Sequence, residues 1–377
     1  MLLISNDFPP ISGGQSRYLY DVWSCLPADQ IVVMAPMVPG SEVVDSQLPY
    51  PVERVPLRLE GGRLNKVIKA LQLLRAALAY CRRHRVRAIH CGQVFSTGFA
   101  GRGCRALLGI PYVVYVYGAD VLEFYARPFW GRALRAILQG ADRVVAISGF
   151  SRRAALSCGA EEGRLHVVQP ALDVSRFSAA VERDSARARF GWQGRRVVLS
   201  VGRLVERKGQ DTVLRALVDV IQSVPDVLYA IGGSGPYRDR LQEMVDELGL
   251  HDHVEFLGFV DEDELADRYG GADVFAMVSR EIAEVGEVEG FGIVYLEANA
   301  CGIPVVGGRS GGVEDAVVDG ESGLLVDSEN PAETAAALRS LLCDEALRVR
   351  LGEGGRRRVF AEFDRRQKAH ELWALSP

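Results

Sequence analysis

Short apolar runs rich in β-branched residues alternate along this chain with longer segments of helical period, and the rhythm runs twice. Such alternation marks βα units wound around a parallel sheet, whose strands are covered on both faces and so read as continuous apolar runs. In the first series a strand at 2–5 is followed by expected strands near 30–35, 87–91, 112–117, 143–147 and 165–168, with helices such as 64–83, 131–140 and 149–158 between them. From Gln169 to Arg196 the rhythm breaks: Pro170 leads into a polar, charged run that reads as a linker. A second series starts at RRVVLSVGR (195–203) and continues near 227–232, 254–258, 273–277, 304–307 and 323–326. The expected fold class is α/β, two Rossmann-like doubly wound domains facing a cleft, with ligands at the carboxyl ends of the strands. The boundaries read as 1–170, a linker at 171–194, 195–360, and a last helix within 361–377 that packs back on the first domain.

The 377 residues suffice for two cores, and 48% hydrophobic with 25% charged residues is the balance of a globular protein. No apolar run reaches the roughly 18–20 residues of a membrane span. The N-terminus MLLISNDFPP lacks a basic region and a cleavage site, so it reads as a first strand and not as a signal peptide. Seven cysteines, an odd count without a C-x-x-C pair, point to a reducing, cytoplasmic setting and to no metal site. The six histidines form no cluster; His251 and His253 read as loop residues, and His90 as a buried, satisfied histidine. Residues 1–173 carry 20 Lys and Arg against 13 Asp and Glu, a net +7, while the remainder carries 24 against 36, a net −12. That split either equips the first half for an anionic partner or is ordinary surface variation. Nothing in it resembles a nucleic-acid-binding pattern.

Four segments of the second half lie at strand ends. In Gly202-Arg203-Leu204-Val205-Glu206-Arg207-Lys208-Gly209, Arg203 and Lys208 set two cations beside the sheet's carboxyl edge, which suits a diphosphate and equally a surface salt-bridge loop. Ile231-Gly232-Gly233-Ser234-Gly235-Pro236 turns strand into helix, with Pro236 suited to the first helical turn. It is not G-x-G-x-x-G, which counts against a dinucleotide-dependent dehydrogenase. Glu289-Gly290-Phe291-Gly292-Ile293-Val294-Tyr295-Leu296-Glu297 becomes helical from about Gly292, placing the amides of Phe291 and Gly292 at a helix start. Glu289 before that helix and Glu297 inside it can face sugar hydroxyls and ribose, although helix capping would also explain Glu289. Gly307-Gly308-Arg309-Ser310-Gly311-Gly312-Val313-Glu314 is the fourth.

With these segments, Asn6-Asp7-Phe8-Pro9-Pro10, Gly13-Gly14 and the Glu289-x7-Glu297 spacing, the chain resembles the retaining GT-B glycosyltransferases of the "glycosyl transferases group 1" family, and within them the bacterial phosphatidylinositol mannosyltransferase branch. The resemblance implies that Arg203 and Lys208 bind the donor diphosphate, Glu297 the ribose and Glu289 the donor sugar. It implies backbone contacts from Phe291, Gly292 and Ile293, a place for Val260 beside the base, roles for Gly202 and Gly233 in the donor loops, and closure by Gly13 and Gly14 over the diphosphate. Where the family carries a histidine this chain has Tyr117, followed by Gly118, Ala119 and Asp120. A tyrosine donates a hydrogen bond but cannot take up and release a proton near neutral pH as imidazole does, so either this chain tolerates the change or Asp120 takes on more of the positioning.

The expected activity is metal-independent, cofactor-free transfer of a hexose from GDP-mannose or a UDP-sugar to a hydroxyl of a lipid, glycan or small molecule. A GT-B nucleotide-sugar 2-epimerase and a non-catalytic sugar-nucleotide-binding protein are the alternatives. In the first half Arg63, Lys66, Lys69 and Arg75 punctuate an apolar helix ending in Arg82-Arg83-His84-Arg85. It either lies on an anionic membrane at the inner face of the cell membrane or packs on the sheet. Phe129 and Trp130 suggest a second contact or loop packing.

Overall fold

The computed structural model describes all residues except 12, 58–62, 126, 178–181 and 284–285. The chain divides into two compact units, Met1–Ala171 with Arg365–Pro377, and Leu172–Asp364. The first is built on seven strands: β1 (Leu2–Ile4), β2 (Val32–Pro36), β3 (Val52–Val55), β4 (Ile89–Cys91), β5 (Tyr112–Val116), β6 (Arg143–Ala146) and β7 (Leu165–Val167). They are ordered β3-β2-β1-β4-β5-β6-β7, and every pairing is parallel. The order reverses between β1 and β4, and Asn6 and Gln93 lie just beyond their carboxyl ends. The central strands are sealed on both faces: β1, β4 and β5 are buried throughout. β3 escapes the sequence reading because it is a four-residue edge strand, Val-Glu-Arg-Val, with Pro51 and Pro56 at its ends. The final helix, Arg365–Ala374, packs on the helix Gly14–Trp23 of this unit. His90 ties the tail down, its ring nitrogens 3.1 Å from Tyr115 Oη and 3.0 Å from Ser376 Oγ.

The second unit carries β8 (Arg196–Val201), β9 (Val227–Gly232), β10 (Val254–Gly258), β11 (Val274–Met277), β12 (Val305–Gly308) and β13 (Gly323–Val326). Their order is β10-β9-β8-β11-β12-β13, again all parallel, with the reversal between β8 and β11. The stretch read as bare linker contains a helix, Arg183–Phe190, that belongs to this unit. Only Ala186 is buried on it, so it has no apolar stripe to announce it. Its anchors are polar: Arg187 reaches the Gly271 carbonyl at 2.9 Å and the Asp273 carboxylate at 2.6 Å.

Candidate functional site

The connections that leave the carboxyl ends of β8, β9, β11 and β12 carry the second unit's four motifs. Glycine is required there by close approach: a Cβ on Gly233 would sit 1.8 Å from the Gly202 carbonyl oxygen, and one on Gly209 2.0 Å from that of Val278. Both carry positive φ, +131° and +70°. The loops after β8 and β9 are stitched together, Gly202 N–H donating to Gly232 O at 3.0 Å and Leu204 N–H to Ser234 O at 2.9 Å. Pro236 does not open the next helix as expected; Tyr237 donates to the Leu204 carbonyl and the helix starts at Arg238. Val260 is buried and packs toward Gly232.

This stitching presents the segment 206–208 to Glu289. Lys208 Nζ and Arg207 Nη1 both donate to Glu289 Oε2, at 2.5 and 2.9 Å. Burial opposes ionisation of the Glu289 carboxyl, but the two cations outweigh it and hold its pKa below the ordinary carboxylate value. For Lys208, 8% exposed, burial lowers the pKa against the pull of Glu289, with Arg207 and Arg203 adding repulsion. Arg203 is exposed, and its guanidinium has no partner among the described residues. Glu289 thus faces two cations, one of which, Arg207, also lies 3.7 Å from the exposed Glu287 carboxylate, and with Arg203 beside them the group keeps a positive surplus that an anionic ligand would balance. Arg207 was not singled out in the sequence; its neighbourhood in the motif was visible, but its sharing of one oxygen with Lys208 was not.

The Glu289 backbone is fixed by the fourth motif: Gly312 N–H donates to its carbonyl at 2.8 Å, and a Cβ on Gly311 would lie 2.3 Å from the same oxygen. The helix Ile293–Ala300 begins after Gly292, whose φ is +95°. Among the described residues the amides of Phe291 and Gly292 donate to no acceptor, while the Phe291 ring is buried 6.0 Å from Phe363. Glu297 accepts the Tyr269 hydroxyl at 2.8 Å, a partner with no sequence signal. The buried Gln210 side-chain oxygen and Ser310 hydroxyl find no partner among the described residues.

The first unit holds Tyr117 and Asp120 just beyond β5. Asp120 Oδ1 accepts the backbone N–H of Tyr117 and Val121, both at 3.0 Å, while Oδ2 has no partner. Burial pushes its pKa up to about 7, against those backbone donors. The Tyr117 hydroxyl is buried and unpartnered, as is Asn6 Oδ1. Gly13 precedes the helix Gly14–Trp23, and a Cβ at Gly13 or Gly14 would meet nothing within 4 Å, so packing does not explain these glycines. Of the basic helix, now Arg63–Arg83, Lys66 pairs with Glu123 at 2.9 Å and lies 4.6 Å over the Phe124 ring. Lys69 is held near Asp7, whose pKa burial raises against the attraction of that lysine. Lys66 stays half-exposed in its pair with Glu123, Lys69 is partly buried beside Asp7, and the exposed positions among the described residues of the helix are Val67, Leu71, Arg75, Arg82 and Arg83. The Arg63 side chain lies outside the described residues. Trp130 packs on Phe95 and Phe124, whereas Phe129 is exposed. Among the described residues no group of three His, Cys, Asp or Glu is placed to hold a metal ion.

Residues 12–176 match the family described as Glycosyltransferase Family 4, and residues 182–358 that described as Glycosyl transferases group 1. The chain is 34% identical, over 100% of its own length and 97% of the other, to the GDP-mannose-dependent alpha-(1-6)-phosphatidylinositol monomannoside mannosyltransferase of Mycolicibacterium smegmatis. It is 32% identical to the protein of the same name from Mycobacterium tuberculosis, with 96% and 94% covered. An Anabaena protein crystallised with UDP and glucose superposes with a TM-score of 0.82 at 21% identity, covering 99% of this chain and 98% of that one. Sucrose-phosphate synthase from Thermosynechococcus elongatus shares the fold at 0.82 and 24%, with 99% and 97% covered. Whole-length similarity of this order shows that the chain belongs to the glycosyl transferases group 1 family and is a glycosyltransferase of the GT-B type.

Proposed function

We propose that this glycosyltransferase moves mannose from GDP-mannose, with retention and without a metal ion, to a hydroxyl of a phosphatidylinositol-linked glycan. The observation that carries the reading is the cation surplus around Glu289: Lys208 and Arg207 share one oxygen, and Arg203 stands free beside them. The choice of mannose and of the lipid acceptor rests on the relatives' names over matching full lengths.

In this mechanism Arg203 and Lys208 hold the diphosphate and stabilise the negative charge that gathers on it as the bond to the sugar lengthens. A diphosphate oxygen accepts the acceptor's proton while the acceptor oxygen attacks from the same face, which preserves configuration. Glu289, kept ionised by its two cations, orients sugar hydroxyls and forms no covalent bond. Glu297 and Tyr269 receive the ribose, the free amides of Phe291 and Gly292 take sugar or phosphate oxygens, and Val260 lies beside the base. Asp120 and Tyr117 in the first unit serve the acceptor side of the reaction.

Replacing Arg203 or Lys208 by alanine is expected to abolish transfer with the circular dichroism spectrum unchanged. Full turnover in both variants would remove the diphosphate site. Donor consumed without acceptor would instead indicate an epimerase. We also place the protein on an anionic membrane surface through the exposed Val67, Leu71, Arg75, Arg82 and Arg83. No described helix is long and apolar enough to cross a membrane, and failure to float with anionic vesicles would refute this placement.

A further inference from the structure

At the amino ends of β8 and β11, opposite the loops described above, four arginines surround one carboxylate. Asp273 is 0% exposed and immediately precedes β11. Its Oδ1 accepts Arg183 Nη2 at 2.6 Å; its Oδ2 accepts Arg187 Nη2 at 2.6 Å and the Val197 amide at 2.7 Å. Arg196 and Arg348 approach only to 3.6 and 3.9 Å, too far for hydrogen bonds.

The arrangement exceeds what a structural tie needs. Two arginines already satisfy the carboxylate, and the third and fourth leave the cluster with three uncompensated positive charges. Arg348 spends its Nη1 on the Leu341 and Leu342 carbonyls, and Arg187 its remaining nitrogens on the Gly271 and Arg195 carbonyls. Arg183 and Arg196 differ. Their side chains are 39% and 41% exposed, and among the described residues neither guanidinium donates elsewhere than toward Asp273. Repulsion is felt even at Arg183, whose pKa is lowered by burial and by the other three arginines despite Asp273.

We propose that this cluster is a second anion site that binds a free, multiply charged oxyanion of the phosphate class, gripped by the open forks of Arg183 and Arg196. Planar guanidinium forks match the oxygens of a phosphate in pairs, and low exposure of Arg187 and Arg348 makes the positive centre recessed. A small ion fits that shape better than a flat surface. Asp273 then acts as the fixed counter-charge that lets the arginines converge before the ligand arrives. The site is independent of the Lys208 region, since it lies at the other end of the same sheet.

The test is calorimetric titration of inorganic pyrophosphate into the full chain. A binding event is expected that weakens roughly tenfold or more in Arg183→Gln/Arg196→Gln and persists in Lys208→Ala. Arg183→Lys/Arg196→Lys, which keeps charge but not the fork, is expected to bind with intermediate affinity. If the glutamine pair does not fold, Arg196→Gln alone carries the test, because its guanidinium makes no hydrogen bond among the described residues. An isotherm in the glutamine variant equal to wild type, or an event lost only in Lys208→Ala, overturns the proposal.

Discussion

Glu289→Gln separates the carboxylate's two duties, holding the fold and serving the sugar. In the protein as it stands, Glu289 Oε2 is the common acceptor of Lys208 and Arg207. Removing one partner of a buried pair ordinarily costs about 3–5 kcal/mol. Here glutamine still accepts one hydrogen bond and Arg207 keeps partial access to water, so about 2 kcal/mol is expected. For a unit of this size that lowers the melting temperature by roughly 4–8 °C. The same change leaves Lys208 without an anion among the described residues and Arg207 with only the exposed Glu287, 3.7 Å away. A unit pair about 4 Å apart attracts by about 4 kcal/mol at an effective dielectric near 20, mostly offset by desolvation. Freed of Glu289, Lys208 and Arg207 should bind GDP about tenfold more tightly, while kcat falls by about a hundredfold or more because the sugar loses its orienting carboxylate. Differential scanning fluorimetry, calorimetric GDP titration and a transfer assay read the three effects. Weaker GDP binding in the variant, or an unchanged kcat, would refute the reasoning.

Other perturbations follow from the same geometry. Asp120 has a folded pKa near 7 against an ordinary 3.8; the native state therefore holds the extra proton between those values, and stability falls as pH rises through that window. Asp120→Asn should abolish this fall, melting higher than wild type at pH about 8 with little difference near pH 4; parallel pH profiles would count against it. Glu289 has the opposite sign: its lowered pKa gives stability that is present above the unfolded value of 4.5 and lost as pH falls through the folded one, so Glu289→Gln should flatten the acid limb of a stability–pH curve. Tyr117→Phe removes a buried hydroxyl without a partner and should leave the melting temperature unchanged or raised, with kcat reduced; an unaltered kcat would exclude the hydroxyl from the reaction. Gly233→Ala forces a Cβ within 1.8 Å of the Gly202 carbonyl oxygen and should destabilise by about 2 kcal/mol or more in urea unfolding.

The buried strands were legible because double-sided burial writes long apolar runs, as in Tyr112–Val116 and Arg196–Val201. β3 and the helix Arg183–Phe190 were not, since an edge strand with Glu53 and Arg54 and a helix held by arginines on Asp273 lack that periodicity. Lys208 and Glu289 stood out through their motifs. Arg207, the second cation on Glu289, did not, because a contact across 82 residues of sequence leaves no local trace. The anions facing Lys66 and Lys69, Glu123 and Asp7, were not legible for the same reason: they come from distant segments. Tyr117 was visible as a departure from its family, but only the structure exposes its hydroxyl as unpartnered beside an Asp120 that titrates near neutrality.

The most direct measurement is transfer from radiolabelled GDP-mannose to a phosphatidylinositol monomannoside, in the presence of a chelator, for wild type and for Lys208→Ala. The account predicts an acceptor-dependent mannolipid with the α configuration retained, and no product from a folded Lys208→Ala. Equal product from both proteins, or loss of label from the donor with no lipid product in wild type, would contradict it.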